Sequence, residues 1–223
     1  MKKLVKPKLI VHNSVSLDGS LLHFTPNMEL HYRIAASYHA NAHLIGSNTI
    51  RQGIVMYGGE IPAEEEGDFG KPAREIKFPY WVIPDTKGSL MGMLHVCRRF
   101  EFCRDIVILV SESTPKEYIR YLRKRSYNFH AVGRKRVDLQ RAFDLIMGDY
   151  GVRTVLADTG QVLGNILINQ GFADVISLLV HPQVAGRKCY PMFKNVNPAI
   201  RLKPIKHEPY EKKYLWLEYK VEK

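Results

Sequence analysis

The turn Asp158-Thr159-Gly160-Gln161 is the segment of this 223-residue chain best placed to do chemistry. It lies between the apolar run Val155-Leu156-Ala157 and a helical pattern that starts at Gly160. A strand that breaks into a small polar turn and opens straight into a helix aims free backbone N–H groups at one point, which is how a phosphate or pyrophosphate is commonly held. Three other strand ends carry similar residues: Gly46-Ser47-Asn48-Thr49, Asp85-Thr86 and Ser111. Gly46 and Gly160 allow close backbone approach, and the hydroxyls of Thr49, Thr86 and Ser111 suit phosphate or ribose oxygens. In an open α/β sheet the carboxyl ends of parallel strands line one crevice, and ligands bind there. The four turns together therefore predict a nucleotide site. The chain has neither G-x-G-x-x-G nor G-x-x-x-x-G-K-[ST], which argues against a standard Rossmann domain and a P-loop.

Two carboxylates stand at these turns. Asp158 sits just ahead of a helix, where it either caps the free N–H groups or contacts a ligand. The helix dipole favours its ionised form, so toward a substrate it is an acceptor rather than a proton donor. Asp18, in Ser16-Leu17-Asp18-Gly19, is either turn chemistry or a carboxylate at the crevice mouth with Ser14 and Ser16. His12 is either a strand residue facing a neighbour or a polar group in the pocket, the first being favoured, and His181-Pro182 reads as structural.

The elements that position these residues alternate. Strands are expected at 8–16, 42–45, 80–83, 106–110, 128–132, 153–157 and 174–180, and helices from Pro26-Asn27 to about 40, at 115–124, 138–149 and 160–170. Residues 47–49 open a helical turn. Two extended segments, 200–207 and 213–221, read as an antiparallel hairpin. The fold class this predicts is α/β: three layers, a mixed and mostly parallel central sheet, helices on both faces and a C-terminal hairpin. Residues 53–78 hold Gly58-Gly59, Pro62 and Glu64-Glu65-Glu66, and read as an irregular, mobile surface loop. No linker separates two domains, so one domain is expected across 1–223.

With 45% hydrophobic and 25% charged residues the composition is that of an ordinary globular protein. No apolar run approaches the roughly 20 residues a membrane span requires. The start Met1-Lys2-Lys3-Leu4 is basic but has no continuous apolar segment after it, so the expected location is the cytoplasm. The formal net charge of +11 comes from dispersed residues without a nucleic-acid motif, which disfavours nucleic-acid binding. A positive field still draws in polyanionic ligands. Cys97, Cys103 and Cys189 lack metal-ligand spacing, and the histidines are scattered, so no metal site is expected.

The order Ser16-Leu17-Asp18-Gly19, Leu44-Ile45-Gly46-Ser47-Asn48-Thr49, Pro84-Asp85-Thr86, residues 155–163 and His181-Pro182-Gln183-Val184-Ala185-Gly186 resembles the reductase domain of riboflavin biosynthesis. That domain is the C-terminal part of the bifunctional deaminase-reductase and is similar in fold to dihydrofolate reductase. The resemblance runs from about residue 8 to 221. It implies an NADPH-dependent oxidoreductase similar to 5-amino-6-(5-phosphoribosylamino)uracil reductase, which reduces a ribosylaminopyrimidine 5′-phosphate to its ribityl form. It also implies a homodimer. By the same resemblance Gly46, Ser47 and Thr49, and Thr159, Gly160, Gln161 and Val162, match contacts to the cofactor phosphates. Thr86 matches a hydroxyl near the adenosine-side phosphate. Ser14, Ser16, Asp18 and Asp158 match positions around substrate and nicotinamide, the two carboxylates being the catalytic candidates.

The chain departs from the family pattern at three places. Asp158-Thr159-Gly160 replaces E-G-G, Ser20 replaces a Lys, and Arg51-Gln52-Gly53-Ile54 replaces an acidic-Pro segment, with Arg51 as a substitute phosphate ligand. Two alternatives follow: a related reductase of a pterin or other carbonyl or imine compound, and a nucleotide-binding protein without redox chemistry.

Overall fold

The structure, a computed structural model, describes residues 6–58 and 60–222. The basic start at residues 1–4 and Gly59 of the loop lie outside the described residues. In chain order the elements are β1 (Lys8–Ser16), α1 (Met28–Ser37), β2 (Ala42–Leu44), α2 (Ser47–Gly58), β3 (Tyr80–Pro84), α3 (Leu94–Arg99), β4 (Ile106–Val110), α4 (Lys116–Lys124), β5 (Asn128–Ala131), α5 (Leu139–Asp149), β6 (Thr154–Ala157), α6 (Gln161–Asn169), β7 (Val175–His181), β8 (Arg201–Tyr210) and β9 (Tyr214–Glu222). The strands are mostly parallel with antiparallel strands at the C-terminus, as the alternating pattern predicts. Among the described residues no helix is long and apolar enough to cross a membrane.

The described residues divide into two compact units, 41–153 with 6–7, and 8–40 with 154–222. No linker marks the changeovers, which fall within continuous sequence at 7/8, 40/41 and 153/154.

In the first unit β5, β4, β3 and β2 run parallel in that order. All five residues of β4, Ile-Val-Ile-Leu-Val, are buried, the unbroken apolar run expected of a central parallel strand. Ile83, Leu90, Leu94, Ile106, Ile108, Tyr118 and Leu122 form its core, with Tyr118 and Leu122 one turn apart on α4. Asp138 caps α5 by accepting from Arg141 N.

Residues 53–78 correct the sequence expectation. α2 continues through Gly53 to Gly58, because Ile50 and Ile54 share its buried face. Burying two such side chains is worth about 1.5–3 kcal/mol each, against about 1 kcal/mol for a helical glycine. The segment beyond is tied down at several points. His95 Nε2 donates to Pro62 O, the Arg99 guanidinium holds Asp68, and the Arg125 guanidinium holds Glu64. The short helix α3, which supplies His95, Arg98 and Arg99, has no counterpart in the sequence pattern.

In the second unit the strand order is β6, β1, β7, β9, β8. β6 and β7 flank β1 in parallel, and β9 and β8 add antiparallel strands. Asn27 caps α1 through its Oδ1, which accepts from Leu30 N at 3.1 Å. The apolar face of α1 packs Leu30 and Ile34 with Leu179, and Ala35 with Ile10 and Leu156. The edge strand β8 is exposed along most of its length and carries Pro204, Pro209 and a register shift. These features discourage further strand pairing.

Candidate active site

The second unit brings three polar side chains together at the carboxyl ends of β1 and β6. Ser14 stands near the end of β1, and Asp158 directly follows β6. Between them sits His31 of α1, buried. Its Nδ1 lies 3.1 Å from Ser14 Oγ, and its Nε2 lies 3.2 Å from an Asp158 carboxylate oxygen. A carboxylate only accepts, so the Nε2–H donates to Asp158 and Nδ1 faces the Ser14 hydroxyl. Asp158 is a quarter exposed.

A second histidine fixes the first. His12 of β1 is fully buried, and its ring centroid is 4.5 Å from that of His31. Its Nε2–H donates to the His31 carbonyl at 3.3 Å. Its Nδ1 accepts from the Ser177 hydroxyl at 3.0 Å, and Ser177 Oγ accepts from Trp216 Nε1 at 3.1 Å. Burial, seconded by the neighbouring His31, pushes the His12 pKa down to about 3. His12 is therefore a neutral strut, in agreement with its structural reading.

The β6–α6 turn is also held from β1. Asn13, buried, donates from Nδ2 to Thr159 O at 3.1 Å, while its Oδ1 is a buried acceptor without a donor. The N-cap of α6 is Gly160, not Asp158. Gly160 offers no side-chain acceptor, and the first turn contains no acidic residue. The helix start thus presents N–H groups and a positive dipole end with no carboxylate of its own. These features fit a dinucleotide phosphate. Val162 is exposed there, whereas Thr159 and the Gln161 side chain are buried, the latter donating to Pro191 O. Gln161 therefore has only its backbone to offer a ligand.

Ser16 and Asp18 are tied to the loop that follows β7. Ser16 is fully buried, and its Oγ donates to Asp18 Oδ1 at 2.5 Å while accepting from Ser20 N at 2.9 Å. The Asp18 carboxylate also accepts from Ala185 N at 3.1 Å and Gly186 N at 2.8 Å. The positive φ of Gly186, 61°, belongs to the turn that presents this N–H pair. The Ser16 hydroxyl and these N–H groups lower the Asp18 pKa to about 2, so it is an ionised anchor for the 183–190 loop. Ser20, also fully buried, bridges Leu22 O and Tyr190 N through its hydroxyl. A lysine would not fit that position without rearranging the turn.

The other predicted residues belong to the first unit. Ser47 and Thr49 lie half-buried in the first turn of α2, after Gly46. Arg51, one turn on and exposed, reaches Asn48 Oδ1 at 3.3 Å. Thr86 is half-buried beyond β3, where Asp85 folds the turn by accepting from Ser89 and Leu90. Ser111 is buried, and its Oγ lies 2.9 Å from Ser113 Oγ, so its hydroxyl serves the turn before α4. Since β2, β3 and β4 are parallel neighbours, these turns share one end of that sheet.

Sequence reasoning missed His31 and Asn13. The signal for His31 was its spacing, three and four residues before Ile34 and Ala35, which places it on the buried face of α1.

Fold and site together define a dihydrofolate reductase-like α/β protein with a polar site at its strand ends. Residues 7–216 match the RibD C-terminal domain, and the chain belongs to that family. Three solved structures are similar to it. A pyrimidine reductase-like protein of Corynebacterium diphtheriae is 13% identical, with a TM-score of 0.72 over 97% of this chain and 92% of its own. RibD of Acinetobacter baumannii is 15% identical, with a TM-score of 0.66 over 97% of this chain, which spans 58% of that protein. The Saccharomyces cerevisiae riboflavin biosynthesis reductase Rib7 is 14% identical, with a TM-score of 0.62 over 100% and 93%.

Proposed function

We propose that this protein is an NADPH-dependent reductase of riboflavin biosynthesis. Its proposed substrate is 5-amino-6-(5-phosphoribosylamino)uracil, whose opened ribosyl group becomes ribityl. The observation that carries this reading is the linked polar row at the ends of β1 and β6: Ser14 and Asp158 joined through His31, beside the start of α6. The family match and the likeness to Rib7 support it.

NADPH, when bound, supplies a hydride. The N–H groups of residues 161 and 162, at the α6 start, are the proposed phosphate contacts in the second unit, with Thr159 and Gly160 shaping the turn. Taken by itself, the first unit offers its own candidate anion contacts at the ends of β2 and β3, with Gly46, Ser47, Thr49 and Thr86. Asp158 orients a substrate amine or hydroxyl, and Ser14 presents its hydroxyl to the reacting nitrogen. Asp18 keeps the 183–190 loop in place and moves no proton.

Loss of NADPH absorbance in the presence of this substrate tests the proposal. Turnover by the folded protein is expected. Tight NADPH binding without turnover on this compound, but with turnover on a dihydropterin, would replace the substrate and leave the reductase.

A further inference from the structure

We propose that His31 is the proton-holding residue of the site and acts through Ser14. This rests on the reductase reading above and adds the source of the proton.

The geometry assigns each end of the imidazole a task. Asp158 faces Nε2 at 3.2 Å, and its negative charge keeps a proton there. The proton that can leave is therefore the one on Nδ1, and Nδ1 faces Ser14 Oγ at 3.1 Å. His31 is buried, while Ser14 is half-buried at the strand end, so the hydroxyl is the group able to meet a substrate. The His31 backbone is pinned by His12, and its ring meets Tyr32 edge-on with centroids 5.1 Å apart. The array has the form of a base held by a carboxylate and aligned on a hydroxyl.

The substrate's C=N carbon takes a hydride from the reduced dinucleotide, which is thereby oxidised, and the π electron pair moves to nitrogen. Nitrogen takes the Ser14 hydroxyl proton, and Ser14 Oγ takes the Nδ1 proton. His31 is left neutral, with Nε2–H still on Asp158, and regains its proton from water after the product leaves. The titratable groups around His31 do not compete as donors. His12 on β1 is held neutral, burial also lowers the pKa of His181 on β7, the Asp158 carboxylate accepts the Nε2–H, and Tyr32 lies beside the ring on α1. The competent form is the imidazolium, so the reduction slows once His31 has given up its Nδ1 proton.

His31→Gln tests this, because its amide can donate to Asp158 and accept from Ser14 but cannot store a proton. The first measurement is an imidazole-nitrogen NMR titration of His31 in the free protein. In the wild type the neutral ring should carry its proton on Nε2, facing Asp158, and Asp158→Asn should shift that tautomer. The second is the pH profile of kcat with NADPH and 5-amino-6-(5-phosphoribosylamino)uracil. The wild type should lose rate with rising pH across the same titration. His31→Gln should lose that limb and about 100-fold in kcat, with NADPH affinity by fluorescence unchanged. Turnover by His31→Gln with wild-type kcat and pH profile overturns the relay and leaves the reductase reading intact. A His31 tautomer indifferent to Asp158→Asn also overturns it. Absence of turnover by the wild type removes the reductase reading, and with it this role for His31.

Discussion

Asn13→Leu separates the work of the site from the work of the core. Asn13 is buried in β1 and spends its Nδ2 on Thr159 O at 3.1 Å, while its Oδ1 has no donor. Replacing it removes one donor to the Thr159 carbonyl, a loss of about 1–3 kcal/mol. The same change removes the orphaned Oδ1, whose burial costs about 1–3 kcal/mol, and leucine fills a similar volume. The opposing contributions cancel to about 1 kcal/mol in either direction, a Tm change of no more than about 4 °C for a chain of this size. The β6–α6 turn, however, loses its tether. If that turn holds the cofactor phosphates, a loosening of about 1 kcal/mol raises the NADPH Kd about fivefold. Thermal melts and a fluorescence titration measure both quantities on one preparation. A Tm drop beyond about 10 °C with NADPH affinity unchanged would refute the reasoning and make Asn13 a core residue only.

Arg98→Met should be far more damaging than its place in a Cys-Arg-Arg run suggests. The guanidinium pairs with Asp105 at 3.2 Å, donates to the carbonyls of Asp68, Arg125 and Ser126, and lies 4.1 Å over the Tyr127 ring. Stranding the buried Asp105 costs about 3–5 kcal/mol, and adding Asp105→Asn should restore part of it; a loss below about 1 kcal/mol in urea unfolding would discount the pair. His12, lowered from 6.5 to about 3, gives stability a pH dependence. The unfolded chain binds the extra proton, so stability rises between those values by up to about 1.4 kcal/mol per pH unit, is complete above 6.5, and is lost as pH falls toward 3. His12→Gln should flatten that slope, and an unaltered slope would place its origin elsewhere.

Where periodicity reports burial, the fold was legible. β1 and β4 follow their apolar patterns, and the Asn27 and Asp138 caps mark helix starts. α3 was not, since a six-residue helix ending in two arginines reads as exposed surface until Arg98 is seen to be neutralised inside the unit. α2 was cut short because Gly53 and Gly58 read as breakers, although the Ile50 and Ile54 face outweighs them. At the site, residue types could be read but partners could not. Ser16, Asp18 and Ser20 are all polar and adjacent, yet the loop they anchor returns from residues 183–190, over 160 positions later.

The position of Asp158 shows why that limit matters for function. A carboxylate one or two residues ahead of a helix has two possible employers, the free N–H groups or a partner across the sheet, and local sequence favours the first. Here a histidine from α1 engages Asp158, and the cap position falls to Gly160. Two consequences follow from that one choice. The cap residue Gly160 brings no side-chain anion, so a phosphate can supply one, and Asp158 gains a titratable neighbour in His31. A sequence with Asp158 as cap would have a better-finished helix and a poorer place for either a dinucleotide or a proton.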